Sequence, residues 1–109
     1  MALLKGTLDV LVLKALSWGP MHGFEIATWL EDRSDQRLRI TDAALLQALH
    51  RIEERRLVSA EWGITVNDRR ARYYKLTTLG RAHLKAESEA LNDHIGALAA
   101  ILAAKRFAR

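Results

Sequence analysis

Four basic residues stand within seven positions in the middle of the chain, with no acidic residue among them. They are Arg69, Arg70, Arg72 and Lys75, in the segment RRARYYK. Cationic side chains at this density attract a polyanion, and arginine in particular donates paired hydrogen bonds to phosphate oxygens. Phosphate binding is therefore the first chemistry that the sequence suggests; the alternative is a solvated strand face.

A second set of candidates lies on the segment 41–56, whose apolar residues recur at helical spacing. Gln47 can form paired hydrogen bonds with adenine, and Ala44 or Leu46 can contact a thymine methyl group. These residues lie near the N-terminal end of the segment, the part of a helix that contacts bases in the major groove. The candidate DNA-binding residues are Thr41, Ala44, Leu46, Gln47, His50, Arg51, Arg69, Arg70 and Arg72.

Length and composition exclude several classes of function. The chain has 109 residues and a net charge of +4, so it holds one domain, and its surplus charge suits a polyanionic partner. Without cysteine there is no disulfide and no thiolate zinc site. The four histidines lack i, i+4 pairing, and the six glycines form no phosphate-binding loop. We therefore expect no catalytic residue, no metal site and no cofactor.

Neither apolar segment of the chain is typical of a membrane or secretion signal. Asp9 and Lys14 interrupt the segment 3–19, and the segment 95–104 is far shorter than the roughly 20 residues that a membrane span needs. A cytoplasmic protein with no membrane partner is expected.

Helical periodicity predicts three helices before the basic segment. Thr7 is expected to cap the first, which Gly19 and Pro20 end, and the second runs from about Gly23 to Arg33. After a short connection at 34–40, Thr41 caps the third helix. Its predicted inward residues are Leu45, Ala48, Leu49 and Ile52.

After Arg56 the apolar period changes from helical spacing to two, which predicts two antiparallel strands joined by the loop GITVND. Helices followed by a basic hairpin are the arrangement of a winged helix. The predicted fold is mainly α with a small antiparallel β-hairpin: a winged helix-turn-helix plus a long C-terminal helix.

The last helix is expected to begin after Thr77 or Thr78 and to continue almost to Arg109. About 30 helical residues span about 45 Å, more than the rest of this domain can cover, so we expect a homodimer. An intramolecular core stripe is the alternative. The predicted division is a DNA-binding domain at 1–77 and a dimerisation helix at 78–109. The predicted dimerisation residues are Leu84, Leu91, Ile95, Leu98 and Leu102.

Several segments, in this order, resemble the PadR family of transcriptional regulators over residues 3–84. They are LLKGTLDVLVLKAL, GPMHGFEIA, ALLQALHRIEERRLV, EWG and RRARYYKLTTLG. The resemblance implies a winged-helix domain that binds double-stranded DNA, a C-terminal helix that forms a homodimer, and usually repression relieved by a small phenolic or hydrophobic effector. Two symmetric half-sites give an inverted-repeat operator.

The short chain is similar to the compact subgroup of that family, which has a single C-terminal helix and in some members holds flat hydrophobic ligands between the subunits. Trp18 and Trp29 are the candidates for such a ligand site. Packing in the core or at an interface is the alternative role of these two rings.

The third helix departs from the family pattern. The family commonly has Ser, Leu, Tyr and Pro where this chain has Ala, Leu, Leu and Gln at 44–47, and Phe24 stands where the family often has Tyr. The lost hydroxyl groups imply an altered sequence preference or a weaker affinity for DNA. The alternative function is a PadR-like ligand-binding or protein-interaction module with weakened or lost DNA binding.

Overall fold

The computed structural model describes residues 6–106 and contains four helices and three strands within that range. The strands form one antiparallel sheet in the order β1-β3-β2. Three helices, a β2–β3 hairpin and a long last helix give the predicted winged helix. The elements are α1 Thr7–Leu16, β1 Met21–His22, α2 Gly23–Arg33, α3 Asp42–Glu54, β2 Val58–Ile64, β3 Arg70–Leu76 and α4 Thr78–Ala103.

Strand β1 is not among the elements predicted from the sequence, because a strand of two residues is too short to show a pattern of alternating apolar and polar residues. Met21 pairs with Tyr74, and His22 pairs with Tyr73, so β1 adds a third strand to the hairpin. The side chain of His22 also caps α2, where it accepts a hydrogen bond from the backbone N–H of Glu25. The start of α2 is therefore fixed to strand β3.

Side-chain caps begin α3 and α4 as predicted. Thr41 Oγ1 accepts a hydrogen bond from the Ala44 N–H at 3.1 Å, and Thr77 Oγ1 accepts one from the Gly80 N–H at 3.0 Å. The expected cap by Thr7 is wrong. Gly6 is the cap residue of α1, with a left-handed φ of 86° and no side-chain hydrogen bond.

The core surrounds α1, the most apolar of the first three helices. Val12, Leu13 and Ala15 are completely buried. The predicted inward side of α3 is confirmed, since each of its four residues is at most 5% exposed. Because one side of α3 is held in this core, its other side must face outward.

The turn between α3 and β2 is a Schellman motif, which fixes where the hairpin leaves the helix. The Leu57 N–H donates to the Ile52 carbonyl at 2.9 Å, and the Arg56 N–H donates to the Glu53 carbonyl at 2.9 Å. This geometry requires a left-handed residue at Arg56, whose φ is 61°. The position is one that glycine occupies without strain.

We expect Arg56→Gly to raise the free energy of unfolding by about 1 kcal/mol, because a side chain in the left-handed region costs about that much. Chemical denaturation measures the change. Arg55→Gly is the matched control, since Arg55 has a φ of −80° and glycine there should be destabilising. Equal effects at the two positions would contradict the assigned turn.

Helix α4 has one end in the core and the other in solvent. Leu84 is 9% exposed and packs in the core of its own chain, so it is not available as the predicted dimerisation residue. Every residue of 92–103 is exposed. The radius of gyration is 16.2 Å, against about 13 Å for a compact chain of this length. The projecting half of α4 explains the difference.

Three predictions reach residues outside the described range: the continuation of the last helix to Arg109, the outer bounds of the two predicted domains (1–77 and 78–109), and the first letters of the segment LLKGTLDVLVLKAL. Among the residues that are described, α4 ends at Ala103. No helix in the range 6–106 is long and apolar enough to cross a membrane.

Candidate nucleic-acid interface

An open groove separates the N-terminal ends of α2 and α3 from the wing, which comprises β2, β3 and the loop 65–69 between them. Its volume is about 910 Å³. Leu45, Leu49 and Tyr74 are buried residues that line it. Exposed apolar side chains also line it: Phe24 on α2, Leu46 on α3 and Val66 in the wing loop. The groove therefore joins the outer surface of α3 to the wing in one concave surface.

The predicted base-contacting residues of α3 face outward. Leu46, Gln47 and His50 are exposed, whereas Ala44 is half-buried. The exposed Thr41 uses its hydroxyl oxygen to cap the helix. Within residues 6–106, no group of three metal-ligating side chains is placed to hold an ion, and His50 belongs to none. This surface offers hydrogen-bonding and apolar groups but little charge.

Arg51 has a different position from the one expected. Its Nη2 donates to Asp9 Oδ1 at 2.7 Å and its Nε donates to Asp9 Oδ2 at 3.1 Å, which joins α3 to α1. These hydrogen bonds raise the pKa of Arg51 above its ordinary value. The bidentate pair gives Arg51 a structural role in joining α3 to α1, while its side chain stays 49% exposed.

Arg72 is also held by an acidic partner. Its Nη2 donates to Glu53 Oε2 at 2.9 Å and its Nη1 donates to Glu53 Oε1 at 3.2 Å, which raises the pKa of the guanidinium. The pair links the wing to α3 and offsets one of the four positive charges predicted for phosphate binding. The ion pair therefore helps to fix the orientation of the wing relative to α3. Because Glu53 offsets its charge, Arg72 attracts an anion less strongly than an unpaired arginine would.

Arg69 and Arg70 lie where the wing loop meets β3, and both are exposed. The loop is closed at its base: the Thr65 N–H donates to the Arg69 carbonyl at 2.8 Å, and the Arg69 N–H donates to Thr65 Oγ1 at 3.3 Å. Arg70 lies over the ring of Trp62, 4.8 Å from its centroid. These two arginines have no acidic partner among the residues that the structure describes.

Trp62, Phe24 and Val66 are surface features that sequence analysis missed. Trp62 lies on the same face of β2 as the buried Val58, but the ring lies beyond the core and is 61% exposed. Val66 stands in a segment predicted only as a turn, and it is completely exposed. An apolar residue within a predicted turn was the one available signal.

The two tryptophans predicted for ligand binding do not line the groove. Trp18 follows α1 and is 71% exposed, with Lys14 Nζ 5.7 Å from its ring centroid. Trp29 is half-buried on α2, with the Arg33 guanidinium 5.7 Å away. Each of the two tryptophan rings therefore lies next to a basic side chain, outside the groove.

The predicted dimerisation residues beyond Leu84 form a partly uncovered stripe on α4. We call this the α4 stripe: Leu91, Ile95, Leu98 and Leu102. Leu91 is half-buried, and the other three residues are 47–86% exposed. Ile101, which sequence analysis missed, adds a further exposed apolar side chain beside it.

A model of the transcriptional regulator PadR-like family matches residues 12–86, about two thirds of the chain. The chain belongs to the PadR family. The match covers the helices and the wing that form the groove, together with the first turns of α4. The PadR family is a family of transcriptional regulators.

Solved structures of regulators have the same fold. A transcriptional regulator from Clostridium thermocellum is 23% identical, with a TM-score of 0.78 over 86% of this chain and 91% of that one. A PadR-like transcription factor from Bacteroides fragilis is 27% identical, with a TM-score of 0.68 and the same coverage. Bacillus subtilis PadR, solved in complex with operator DNA, is 18% identical, with a TM-score of 0.65 over 72% of this chain and 45% of that one.

The departure from the PadR pattern on α3 changes the surface of the groove. The family resemblance implies serine at position 44 and tyrosine at position 46. Here Leu46 is 53% exposed and lines the groove with Phe24, which is 78% exposed. Apolar side chains therefore stand at positions where the family resemblance implies hydroxyl groups.

Proposed function

We propose that this protein is a transcriptional repressor that acts in the cytoplasm and binds an inverted-repeat operator as a homodimer. The observation that carries the proposal is the groove, which has the outer surface of α3 on one side and the wing arginines on the other. A winged helix uses two such surfaces to contact a duplex. Bacillus subtilis PadR, a structural relative, binds operator DNA.

The wing supplies most of the attraction to phosphate in this proposal. Arg69 and Arg70 are exposed and lack acidic partners among residues 6–106, whereas the positive charge of Arg72 is offset by Glu53. Exposed arginines of this kind bind the sugar-phosphate backbone of any sequence. The outward residues Leu46, Gln47 and His50 would provide the sequence preference, with the apolar residues contacting thymine methyl groups.

The homodimer is supported by the apolar surface that α4 leaves in solvent. A second copy of the chain, packed on the α4 stripe through a two-fold axis, would bury it. The two α3 helices would then contact half-sites one or two helical turns apart. Release by a small hydrophobic or phenolic effector rests on the family resemblance and on the exposed ring of Trp18.

Arg69→Ala combined with Arg70→Ala is expected to weaken binding to every duplex and to lower the salt dependence of the affinity. Each phosphate contact that is lost reduces the slope of log K against log salt by about 0.9. The measurement is a fluorescence-anisotropy titration with a duplex of mixed sequence at several salt concentrations. Arg81→Ala with Lys85→Ala is the control, because it removes the same charge from α4, and its slope should stay unchanged.

Selection from a library of randomised duplexes tests sequence-specific binding by the wild type. Enrichment of an inverted repeat supports the operator proposal, and repeating the titration with a phenolic acid tests release. No enrichment and no complex at low salt would overturn the proposal. That result would favour a ligand-binding or protein-interaction module, which the apolar residues Phe24 and Leu46 at the groove also suit.

A further inference from the structure

The cation–π pair of Trp62 and Arg70 is a feature of the wing that the fold does not require. In the register of the hairpin, Trp62 is opposite Arg72 and Ile64 is opposite Arg70, so Trp62 and Arg70 are diagonal neighbours on one face. The guanidinium carbon lies 4.8 Å from the ring centroid, the shortest cation–ring distance among the described residues. This separation is within the range of a cation–π interaction.

Packing does not account for the position of Trp62. Val58, on the same face, is buried in the core, and Ala60 packs against it. Trp62 lies further along the strand, outside that cluster, and keeps 61% of its surface exposed. Truncating the ring would therefore remove little core packing. The side-chain interaction described for the ring, among residues 6–106, is the one with the Arg70 guanidinium.

Arg70 and Arg72, the two arginines on this face of β3, have different interaction partners. Arg72 gives two N–H donors and its charge to Glu53. Within residues 6–106 the Arg70 guanidinium has no acidic partner, and the Trp62 ring beside it brings no negative charge. Arg70 therefore keeps the donors and the charge that a phosphate requires.

We propose that Trp62 is a positioning residue that holds the guanidinium of Arg70 ready for a backbone phosphate of the DNA beside the wing. The inference rests on the proposed DNA binding. A free arginine side chain loses rotamer freedom when it binds. The Trp62 ring restricts the rotamers of Arg70 before DNA binds. This lowers the entropic cost of forming the contact between Arg70 and the phosphate. Trp62 thus acts on DNA through Arg70.

The test is a double-mutant cycle on DNA affinity with Trp62→Ala, Arg70→Ala and the double variant. The probe is a fluorescent duplex of mixed sequence, titrated at several salt concentrations. We expect Trp62→Ala to bind about two- to fivefold more weakly. The salt slope should stay unchanged, because Arg70 keeps its charge. Arg70→Ala should lower the slope, and Trp62→Ala should have no further effect in that background.

Two further variants distinguish an effect of the aromatic ring on Arg70 from a general loss of packing on this face of the wing. Ile64→Ala removes another side chain that is 61% exposed, on the same strand face and directly opposite Arg70, but it removes no aromatic ring. It should bind DNA as the wild type does. Trp62→Phe keeps an aromatic face and should restore most of the affinity. If Trp62→Ala fails to fold, the cycle is run with Trp62→Leu, which keeps apolar bulk without an aromatic face and should bind more weakly than Trp62→Phe.

Each outcome separates this inference from the proposed function. If the wild type binds DNA and Trp62→Ala loses the same affinity with or without Arg70, the ring does not act through the arginine and the inference is overturned alone. Equal losses in Ile64→Ala and Trp62→Ala also overturn it. A wild type that binds no duplex at low salt overturns both proposals.

Discussion

Gly80→Ala is expected to lower the free energy of unfolding by about 3 kcal/mol, the upper part of the usual range for overpacking. Gly80 lies in the first turn of α4, and a Cβ atom built there overlaps the carbonyl group of Leu57. The obstacle is backbone, so it cannot move aside as a flexible side chain would. The helix must shift away from the turn between α3 and β2.

That shift would also strain the hydrogen bonds that attach α4 to this turn. The Thr77 hydroxyl donates to the Arg56 carbonyl at 2.7 Å, and the Thr77 N–H donates to the Leu57 carbonyl at 3.1 Å. Both carbonyls belong to the residues that lead into β2. The close approach at Gly80 therefore couples the start of α4 to the base of the wing.

Gly96→Ala is the matched control, because Gly96 lies in the same helix with open space where its Cβ would be. This change should stabilise the protein by about 0.5–1 kcal/mol, since alanine is the better helix former. Urea denaturation followed by circular dichroism measures both variants. A Gly80→Ala variant as stable as Gly96→Ala would contradict the packing of α4 on Leu57.

Local patterns predicted those parts of the fold that depend on nearby residues. The inward side of α3 follows from apolar residues three and four positions apart, as in Leu45 and Ala48. The caps by Thr41 and Thr77 each join residues three positions apart. In all of these cases the sequence itself contains both partners within one helical turn.

Contacts between distant residues could not be predicted in this way. Asp9 and Arg51 are 42 positions apart, and Glu53 and Arg72 are 19 apart. Either arginine could have pointed to solvent, and only the packing of the helices brings a carboxylate within reach. Glu53 therefore offsets one of the four positive charges counted for the wing, and the acidic partner of Arg51 could not be foreseen from its position on α3.

The physical roles of Trp62 and Gly63 could not be predicted from the EWG segment alone. A Cβ atom at Gly63 would lie 2.7 Å from the ring of Tyr73, so glycine leaves room for that ring on one face of the hairpin. Trp62 lies on the other face, with the Arg70 guanidinium carbon 4.8 Å from its ring centroid. The sequence contains the motif, but the division between the two faces follows from the register of β2 and β3.

The ion pairs and the groove together change which residues matter for DNA binding. Arg51 and Arg72 connect α3 to α1 and to the wing, which holds the two sides of the groove at a fixed angle. Arg69 and Arg70 remain for phosphate. The proposed affinity thus depends on a short loop, whereas the proposed specificity depends on a helix surface with little net charge.

The second prediction with a large expected effect concerns exposed residues on the projecting half of α4. Ile95→Asp combined with Leu102→Asp is expected to weaken the proposed homodimer about 1000-fold, because each protomer would bury two carboxylates in an apolar interface. Ile95 and Leu102 are 52% and 86% exposed in the single chain, so the change should leave the fold of the protomer intact. Analytical ultracentrifugation measures the mass of each variant.

Loss of the dimer should also reduce operator affinity at least about 100-fold, since two linked half-site contacts become two independent ones. Ala97→Asp with Ala100→Asp is the matched control, because it adds the same charge to the same exposed half of α4, with Ala100 about half a turn and Ala97 about a third of a turn around the helix from the centre of the α4 stripe. This control should remain dimeric and bind DNA normally. A monomeric wild type, or a dimer lost equally in both variants, would show that the α4 stripe is not the interface.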